Sequence, residues 1–413
     1  DKFAQKAGRP MKYTPEEVML YVREEDVKFI RLAFCDCYGR QKNISIMPAE
    51  LARAFACGIA FDASAIDGFG DEAHSDLLLH PDPDTLLVLP WRPEHGRVVR
   101  MFCDITYPDQ RPFEGDTRAL LKRAVCDAEN LNTAFVFGAE MEFYLFQLDD
   151  NGRPTRLPYD EAGYMDIAPE DKGENIRREI CLMLEQMGIR PESSHHEMGP
   201  GQNEIDFRYS DPLSAADNAL TFQTVVKIAA GRNGLQADFS PKPLADQPGS
   251  GMHINISAQS PDGKDLLPHI IAGILDKISE LTVFLNPSVQ SYERFGSSKA
   301  PRYISWSNEN RSQLIRVPAA VGEFRRAELR SPDSLANPYL AFALLIYAGL
   351  YGIQNKLLPP APANINFFTA SPSVRQGYKM LPASRDAAVQ AMLDGSFVQD
   401  ILPQRIIALY SQS

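Results

Sequence analysis

The sequence predicts an α+β protein with two domains, and three patterns along the chain support this prediction. Residues 15–27 have helical periodicity and lead into the apolar run F-I-R-L-A-F-C-D, a turn at 38–40 and the run N-I-S-I-M. That order is typical of a helix followed by a β-hairpin in a small mixed domain. A stretch rich in turn formers, Y-P-D-Q-R-P-F-E-G-D-T, covers residues 107–117. We therefore expect domains at 15–107 and 112–413.

Beyond this boundary, the periodicity of apolar residues separates helices from strands. It predicts helices at 117–130, 173–188, 212–232, 269–285, 337–353 and 385–394. Alternating patterns predict strands at 134–147, 204–209, 235–239, 252–257, 312–317 and 325–330, and two strands of the first domain at 86–90 and 98–104. Strands and helices thus fill the larger part of the chain.

Composition limits the class of protein. The chain has 413 residues, of which 44% are hydrophobic, and this is enough for sizeable cores. A formal net charge of −12 without a basic stripe argues against nucleic-acid binding. The six cysteines include no C-x-x-C pair and sit mostly in apolar surroundings. We therefore expect a reduced, cytoplasmic protein whose thiols are buried.

No segment has the pattern of a membrane anchor. The chain opens on D-K-F-A-Q-K-A-G-R-P, which is polar and lacks the features of a signal peptide. The most apolar stretch, residues 335–353, contains Asn337 and Pro338. Asn337 is a good helix cap and Pro338 a good first helical residue, so we expect a buried helix there and a soluble protein that does not bind membranes.

The strand F-G-A-E-M-E-F-Y-L-F (137–146) carries two carboxylates in an apolar setting. Alternate residues of a strand share one face, so Glu140 and Glu142 lie side by side, about 6–7 Å apart. Two buried like charges require a compensating cation, or one of them keeps its proton.

Other strands repeat this pattern of one apolar and one polar face. In E-I-D-F-R-Y, Glu204 and Asp206 alternate with apolar residues, and M-H-I-N-I-S contributes His253 and Asn255 to a polar face. A solvent-facing sheet surface would explain any single strand. Together they predict a curved sheet whose concave face holds a shared set of potential metal ligands: Glu140, Glu142, Glu197, Glu204, His253 and Glu328. Oxygen ligands with one imidazole suit Mg²⁺ or Mn²⁺ better than Zn²⁺.

Several arginines accompany these carboxylates. Guanidinium groups beside divalent metals are typical of sites that neutralise a transferring phosphoryl group, which suggests a phosphorylated substrate. An ordinary surface position is the alternative for each arginine alone. The candidates are Arg294, Arg311, Arg316, Arg326 and Arg330. Neither G-x-x-x-x-G-K-[ST] nor G-x-G-x-x-G occurs, so another architecture must hold any nucleotide.

With these motifs assembled, the chain resembles glutamine synthetase from about residue 20 to about residue 355. The motifs occur in the order and spacing of that family. They are F-D-A-S-A-I (61–66), F-G-A-E-M-E-F (137–143), H-H-E-M-G-P-G-Q-N-E (195–204), G-S-G-M-H (249–253), N-R-S-Q-L-I-R (310–316) and R-A-E-L-R-S-P-D (326–333), followed by A-N-P-Y (336–339).

The resemblance implies an N-terminal β-grasp domain and a larger α+β catalytic domain with a curved antiparallel sheet. It also implies homo-oligomeric rings, usually two hexamers forming a dodecamer, with each active site between neighbouring subunits. Motif by motif, it assigns one metal to Glu142, Glu197 and Glu204 and another to Glu140, His253 and Glu328. Glutamate would be bound by Arg294, Arg330, Gly249 and His195, and ATP by Glu192, Ser257, Arg316 and Arg326. Among the catalytic residues would be Glu140, Arg311 and Asp62, the last of which reaches into a neighbour's site.

The implied reaction uses ATP, glutamate and ammonia with Mg²⁺ or Mn²⁺. ATP phosphorylates the γ-carboxylate, because a carboxylate oxygen is too poor a leaving group, and an uncharged amine then attacks the acyl phosphate. The chain departs from the family on the amine side. Its flap loop reads G-S-S-K-A-P, with Lys299 where the family has a proton-accepting glutamate. Alanine also replaces a serine in F-D-A-S-A-I, and Pro248 stands where an asparagine is usual.

These departures leave other functions open. Ligation of glutamate with ammonia is the first interpretation. A γ-glutamyl ligase for an organic amine, such as a polyamine or methylamine, is a second. A non-catalytic, structural or regulatory member of the fold is a third, although all six metal positions carry side chains able to bind a metal. An unrelated metal-dependent phosphohydrolase is the last, and it would have little use for glutamate-binding arginines.

Overall fold

The computed structural model describes residues 13–92, 95–320, 322 and 325–412 of the chain. The polar opening segment, for which the sequence predicts no signal peptide, lies outside these residues. Three short 3-10 helices occur in the described part, at Pro48–Glu50, Pro83–Thr85 and Val289–Glu293.

A mixed sheet forms the N-terminal part of the structure. Its strands are β1 (Val27–Cys35), β2 (Gln41–Ile46), β3 (Ile59–Asp62), β4 (Asp76–Pro81), β5 (Leu87–Val88) and β6 (Arg97–Thr106). They are arranged in the order β2-β1-β6-β4-β3, with β5 also beside β6. β1 and β6 are parallel, whereas β1 and β2 form the antiparallel hairpin predicted from the sequence.

Two helices flank this sheet, α1 (Pro15–Glu24) and α2 (Leu51–Cys57). α1 starts at a capping box, in which the Thr14 hydroxyl accepts a hydrogen bond from the Glu17 amide and the Glu17 carboxylate accepts one from the Thr14 amide. Val18 and Val22 of α1 are buried. The cap fixes the start of the helix, and the two valines, four residues apart, share its buried face.

A larger sheet of nine strands forms the centre of the remaining chain. They are β7 (Ala134–Leu148), β8 (Pro154–Pro158), β9 (Pro191–His196), β10 (Gln202–Phe207), β11 (Leu235–Asp238), β12 (Met252–Gln259), β13 (Trp306–Asn308), β14 (Ile315–Val317) and β15 (Ala327–Leu329). The order is β13-β14-β15-β12-β7-β10-β9, and β8 and β11 also pair with β7. Neighbouring strands are antiparallel, as predicted, except that β13 and β14 are parallel. β7 is long enough to pair with four strands along its length.

Helices of the same part of the chain pack against this sheet or against one another. They are α3 (Thr117–Asn130), α4 (Glu174–Gln186), α5 (Pro212–Arg232), α6 (Leu267–Leu285), α7 (Pro338–Gln354), α8 (Pro372–Arg375), α9 (Arg385–Asp394), α10 (Phe397–Ile401) and α11 (Gln404–Gln412). The Phe137 ring of β7 stacks on Phe342 of α7 with their centroids 4.6 Å apart. Asn337 caps α7 by accepting hydrogen bonds from the amides of Tyr339 and Leu340, as the sequence indicated. The polar face of β7 is therefore held in place from behind.

A buried guanidinium joins the first sheet to the helices of the larger unit. Arg118 of α3 donates hydrogen bonds to both carboxylate oxygens of Asp217 in α5, at 3.1 and 3.0 Å. It also lies 2.9 Å from Asp82, which follows β4. The Tyr339 hydroxyl of α7 donates to Asp217 as well. One arginine thus connects β4, α5 and, through Asp217, α7.

Most of the predicted elements are confirmed, with differences at their ends. The strands predicted at 312–317 and 325–330 are shorter, because only the last three residues of the first and the central three of the second join the ladder. The expectation of buried thiols is wrong for Cys57 and Cys126, which are exposed, while Cys181 is half-buried. All six cysteines are free, as expected. In the described part of the chain, no helix combines the length and the apolarity needed to span a membrane.

α6 and α7 approach each other closely through glycines. A Cβ atom on Gly352 would lie 2.0 Å from the His269 carbonyl oxygen, and one on Gly273 would lie 2.0 Å from that of Ala348. We predict that Gly352→Ala forces the helices apart and destabilises the protein by about 1–3 kcal/mol or more. Urea unfolding measures this change.

Gly231→Ala is the matched control, because Gly231 is also helical but has nothing within 4 Å of its Cβ position. Alanine there should be neutral or stabilise the protein by up to about 1 kcal/mol through helix propensity. Equal effects of the two substitutions would contradict the close helix contact.

Candidate active site

The centre of the site is a row of carboxylates on the polar face of β7. Glu142 pairs across the sheet with Glu204 of β10, and Glu140 pairs with Asp206 of β10 on one side and His253 of β12 on the other. Directly opposed residues of antiparallel strands have Cβ atoms about 4.5–5.5 Å apart. Register alone therefore concentrates negative charge at one point of the sheet.

Three overlapping groups of side chains converge there. Glu140, His253 and Glu328 form the first, and the His253 Nδ1 atom lies 3.6 Å from a carboxylate oxygen of each glutamate. The second group is Glu142, Glu204 and His253; the third is His195, Glu197 and Glu204. Within each group the potential ligand atoms lie within 4.8 Å of one another. The structure thus brings together all six ligand residues predicted from the sequence.

The carboxylates strongly affect each other's protonation. Burial, followed by the charges of Asp206, Glu142 and Glu140, raises the pKa of Glu204 well above its usual range. Burial and the charge of Glu140 raise the pKa of Asp206 to about 6. In the absence of a metal, the cluster therefore retains protons. Proton retention is the alternative to a compensating cation for buried carboxylates that lie this close together.

Glu140 differs from these neighbours. Its burial opposes ionisation, but hydrogen bonding and charge from His253, together with the Asn255 amide, lower its pKa to about 2. Asn255 donates to Glu140 at 2.7 Å and accepts from the Arg326 guanidinium at 2.8 Å. Glu140 is thus kept ionised and is linked to Arg326 through one amide side chain.

Arginines cover the other side of the cluster. Arg316 and Arg330 both donate to the Glu328 carboxylate. Arg294 is buried, donates to the Ser331 carbonyl at 2.9 Å and lies 4.0 Å from Asp333. The Nε atoms of these three arginines are buried and have no hydrogen-bond partner in the structure. Buried donors without partners are expected where an anionic ligand will supply acceptors.

A glycine loop brings the backbone next to Arg294. A Cβ atom on Gly249 would lie 2.5 Å from the Pro241 carbonyl oxygen and 2.6 Å from Cγ of Arg294. The Gly251 amide donates to the Glu142 carboxylate at 2.7 Å. Only glycine at position 249 allows the loop and Arg294 to keep this arrangement.

Most of these side chains, but not the buried Glu328, line one cleft with a volume of about 530 Å³. Its mouth is formed by Tyr164, Met165, Ser298 and Lys299, with Arg311 nearby. A smaller cavity of about 260 Å³ adjoins it, shares Glu140, Asp206 and Arg326 with it, and contains the predicted nucleotide residues Glu192 and Ser257. Except for Glu328 and Asp62, the site residues predicted from the sequence therefore line one or both of these cavities.

Asp62 is separate from both spaces. It ends β3 in the N-terminal sheet, is exposed, and accepts hydrogen bonds from the amide and hydroxyl of Ser64 at 2.9 and 2.6 Å. It is not among the described residues that line either cavity. Within a single chain, Asp62 does not join the other candidates.

Comparison with known families matches both parts of this structure. A sequence model for the glutamine synthetase catalytic domain matches residues 114–413, and one for the glutamine synthetase β-grasp domain matches residues 26–108. The chain belongs to the glutamine synthetase family. The sequence resemblance and its implied β-grasp and catalytic fold are thus confirmed.

Individual relatives match over nearly their whole length. Glutamine synthetase of Clostridium saccharobutylicum is 45% identical over 415 residues, covering 97% of this chain and 94% of the relative. Glutamine synthetase of Methanosarcina mazei is 45% identical over 413 residues, covering 96% and 92%. A solved GmaS/ADP complex superposes with a TM-score of 0.86 at 28% identity, covering 95% and 94%. A cryo-EM structure of Plasmodium falciparum glutamine synthetase has a TM-score of 0.85 at 22% identity over 97% and 95%, and supports the fold alone.

Three further residues line the site, although the sequence analysis did not select them as site residues. Asp206 and Asn255 lie on the same strand faces as Glu204 and His253, so alternation was the signal that could have selected them. Tyr164 lies in an irregular segment between β8 and α4, where no periodicity indicates direction. Its position at the cleft mouth becomes evident only from the structure.

The donor set fits hard divalent cations. Carboxylate oxygens dominate each group and a single imidazole joins, which is the composition that Mg²⁺ and Mn²⁺ accept. The raised pKa of Glu204 reflects like-charge crowding that a bound dication would relieve. The arrangement therefore suits Mg²⁺ or Mn²⁺ chemically as well as geometrically.

We predict opposite effects of Glu204→Gln on the two states of the protein. Without divalent cations the variant should be more stable than the parent at neutral pH, because the raised pKa of Glu204 makes folding require a proton that glutamine does not need. With Mn²⁺ the rise in melting temperature should be smaller, because a ligand is lost; for comparison, a cation at 100 times its Kd adds about 2.7 kcal/mol. Differential scanning calorimetry with EDTA and with Mn²⁺ measures both.

Glu185→Gln serves as the control, since Glu185 is exposed on α4 away from the cluster. It should leave both melting temperatures unchanged. An Mn²⁺ shift as large in Glu204→Gln as in the parent would remove Glu204 from the cation site.

Proposed function

We propose that this protein is an ATP-dependent ligase that forms the γ-amide of glutamate with ammonia through γ-glutamyl phosphate. The observation that carries this proposal is a cleft lined by Arg294, Arg316, Arg330 and five of the six metal-ligand side chains, with the sixth, Glu328, buried next to Glu140 and His253. Full-length relatives called glutamine synthetase support the same reaction. A carboxylate substrate and a transferring phosphoryl group both need such a concentration of cations.

The ligands would form two neighbouring sites. Glu142, Glu197 and Glu204 would hold one Mg²⁺ or Mn²⁺ ion, and Glu140, His253 and Glu328 would hold the other. Such ions supply charge neutralisation and polarise the phosphoryl oxygens. The chain's own part is to fix the ligands, and Arg316 and Arg330 hold the Glu328 carboxylate in position.

The arginines and the glycine loop would orient the two substrates. Arg294 and Arg330 carry buried, unpartnered Nε donors suited to glutamate carboxylates, and Gly249 leaves room beside Arg294. His195 lies 3.1 Å from Glu197 and lines the same cleft. Its imidazole would contact the bound substrate and keep Glu197 in place.

ATP would lie across the two connected spaces. Its adenosine end would occupy the smaller cavity with Glu192 and Ser257, and its phosphates would reach Arg311, Arg316 and Arg326 in the cleft. The superposition on a GmaS/ADP complex supports a nucleotide in this fold. Arg311 and Glu140 would act at the transferring phosphoryl group, because one supplies positive charge and the other holds the cation.

We also propose an assembly in rings, with two hexamers forming a dodecamer. Asp62 is exposed and separate from the cleft of its own chain, and this agrees with a role in the site of a neighbouring subunit. In that position its carboxylate would attract the cationic ammonium. We likewise propose domain limits of 15–107 and 112–413.

The experiment measures phosphate release from ATP with Mg²⁺ and glutamate, comparing ammonium with a panel of methylamine and polyamines. We predict turnover with ammonium and a loss of more than about 100-fold in Glu328→Ala, since a ligand is removed and two arginines lose their shared carboxylate. Glu185→Ala, which changes an exposed residue of α4, should keep parental activity.

Each outcome separates one alternative. Turnover only with an organic amine would replace ammonia as the acceptor. No turnover with any amine would favour a non-catalytic assembly of the same fold. Full activity in Glu328→Ala would contradict the assignment of the cleft.

A further inference from the structure

A second cluster of ionisable side chains lies beside the cleft. Asp160, Asp171 and His196 are buried, and their potential ligand atoms lie within 4.8 Å of one another. Hydrogen-bond donors of the protein already occupy this cluster. The Arg177 guanidinium donates to both carboxylate oxygens of Asp171, at 3.1 and 2.5 Å, and the Lys172 amide donates to Asp160 at 3.0 Å. The cluster is therefore better suited to support the neighbouring cleft than to bind a further metal.

His196 is the central member of this cluster. It is fully buried, and both of its ring nitrogens face acceptors. Nε2 lies 2.8 Å from the Asp160 carboxylate, and Nδ1 lies 2.7 Å from the Glu197 carbonyl oxygen. An ionised carboxylate and a backbone carbonyl only accept hydrogen bonds, so both nitrogens donate. The imidazole is thus a rigid link of fixed length between Asp160 and the backbone of Glu197.

The Glu197 end of this link lies at the edge of the cleft. β9 ends at His196, so Glu197 is the first residue of the turn that leads to β10. Its amide donates to the Gln202 carbonyl at 2.8 Å, and its carbonyl accepts from the imidazole. The backbone of Glu197 is therefore held from two sides, and its side chain lines the cleft.

The Asp160 end anchors the link to the rest of the site. The Gly201 amide, in the same turn as Glu197, donates to the Asp160 carboxylate at 3.0 Å. Asp160 also belongs to the irregular segment before α4, and the Met165 amide of this segment donates to the His196 carbonyl at 2.9 Å. The turn that carries Glu197 and the segment that forms the cleft mouth are therefore both attached to one buried pair of side chains.

We infer that His196 is a positioning residue for the proposed cation site: by linking Asp160 to the Glu197 backbone, it holds the Glu197 carboxylate where a divalent cation binds. This inference rests on the proposed function, in which Glu197 is a metal ligand. A glutamate side chain has several rotatable bonds, so its carboxylate is well placed only if its backbone is fixed. Supporting contacts of this kind are commonly worth about 10–100-fold in metal affinity.

The test measures Mn²⁺ binding without substrates, from the EPR signal of free Mn²⁺. In His196→Gln the amide nitrogen takes the position of Nε2, so the contact with Asp160 is kept and the donor to the Glu197 carbonyl is lost. We expect Mn²⁺ binding to weaken by about tenfold. In His196→Asn the amide nitrogen takes the position of Nδ1, and this variant should keep most of the parental affinity. Circular dichroism checks that each variant is folded.

A double-mutant cycle shows whether His196 acts through Glu197. Glu197→Gln should itself weaken Mn²⁺ binding because a ligand is lost, and His196→Gln in that background should add little. If His196→Gln does not fold, Asp160→Asn replaces it, because it removes the charge at the other end of the link and should change Mn²⁺ affinity in the same direction.

His269→Gln is the matched control. The His269 Nδ1 atom likewise lies 2.7 Å from a backbone carbonyl oxygen, that of Leu357. His269 is on α6 and, within the described chain, lines neither cavity of the site. This variant should leave Mn²⁺ binding unchanged even if its melting temperature falls.

The outcomes separate this inference from the proposed function. A parent that binds no Mn²⁺, or parental Mn²⁺ binding in Glu197→Gln, would overturn the proposed cation site and this inference with it. Weaker binding in Glu197→Gln but not in His196→Gln would overturn the inference alone. Equal losses in His196→Gln and His196→Asn, or additive effects in the cycle, would also overturn it, because the contact with Glu197 would then not determine the affinity.

Discussion

The rest of the site depends on one electrostatic constraint, the crowding of carboxylates on a single sheet face. Glu140 and Glu142 are two residues apart on β7 and project from the same face. Glu204 and Asp206 of β10 and His253 of β12 lie directly opposite them. Hydrogen bonds from Asn255, Gly251 and two arginines satisfy part of this charge, but Glu204 and Asp206 keep raised pKa values. Such a face is tolerable only if protons or dications complete it, and the approach of the oxygen atoms within each group favours dications.

The crowding of carboxylates also explains why these strands have one polar face and one apolar face. The opposite face of β7 is packed against α7 through Phe137 and Phe342, and the close contact between α6 and α7 fixes the layer behind it. A carboxylate cluster with mutual repulsion would spread apart on a loose scaffold. A ladder anchored by a buried apolar layer keeps its members at a fixed spacing, which is the preorganisation that phosphoryl transfer requires.

The sequence predicted those features of the site that follow from local periodicity and family motifs. Alternation was enough to assign Glu140, Glu142, Glu204 and His253 to one face, and the structure brings them together. Alternation could not predict contacts between strands, because no pattern within one strand indicates that Asn255 bridges Glu140 and Arg326. Tyr164 was missed because an irregular segment carries no directional pattern. The exposure of Cys57 and Cys126 was missed because apolar neighbours in sequence need not surround a side chain in space.

The strands of the cleft and the turn at its mouth constrain their side chains to different degrees. Ligands on β7, β10 and β12 cannot change without disturbing ladder partners and charge balance. Lys299 belongs to a short turn held by backbone hydrogen bonds, and the Arg330 guanidinium contacts its carbonyl oxygen rather than its side chain. The turn therefore depends on the backbone at position 299, while the Lys299 side chain lies against the face of the Tyr164 ring.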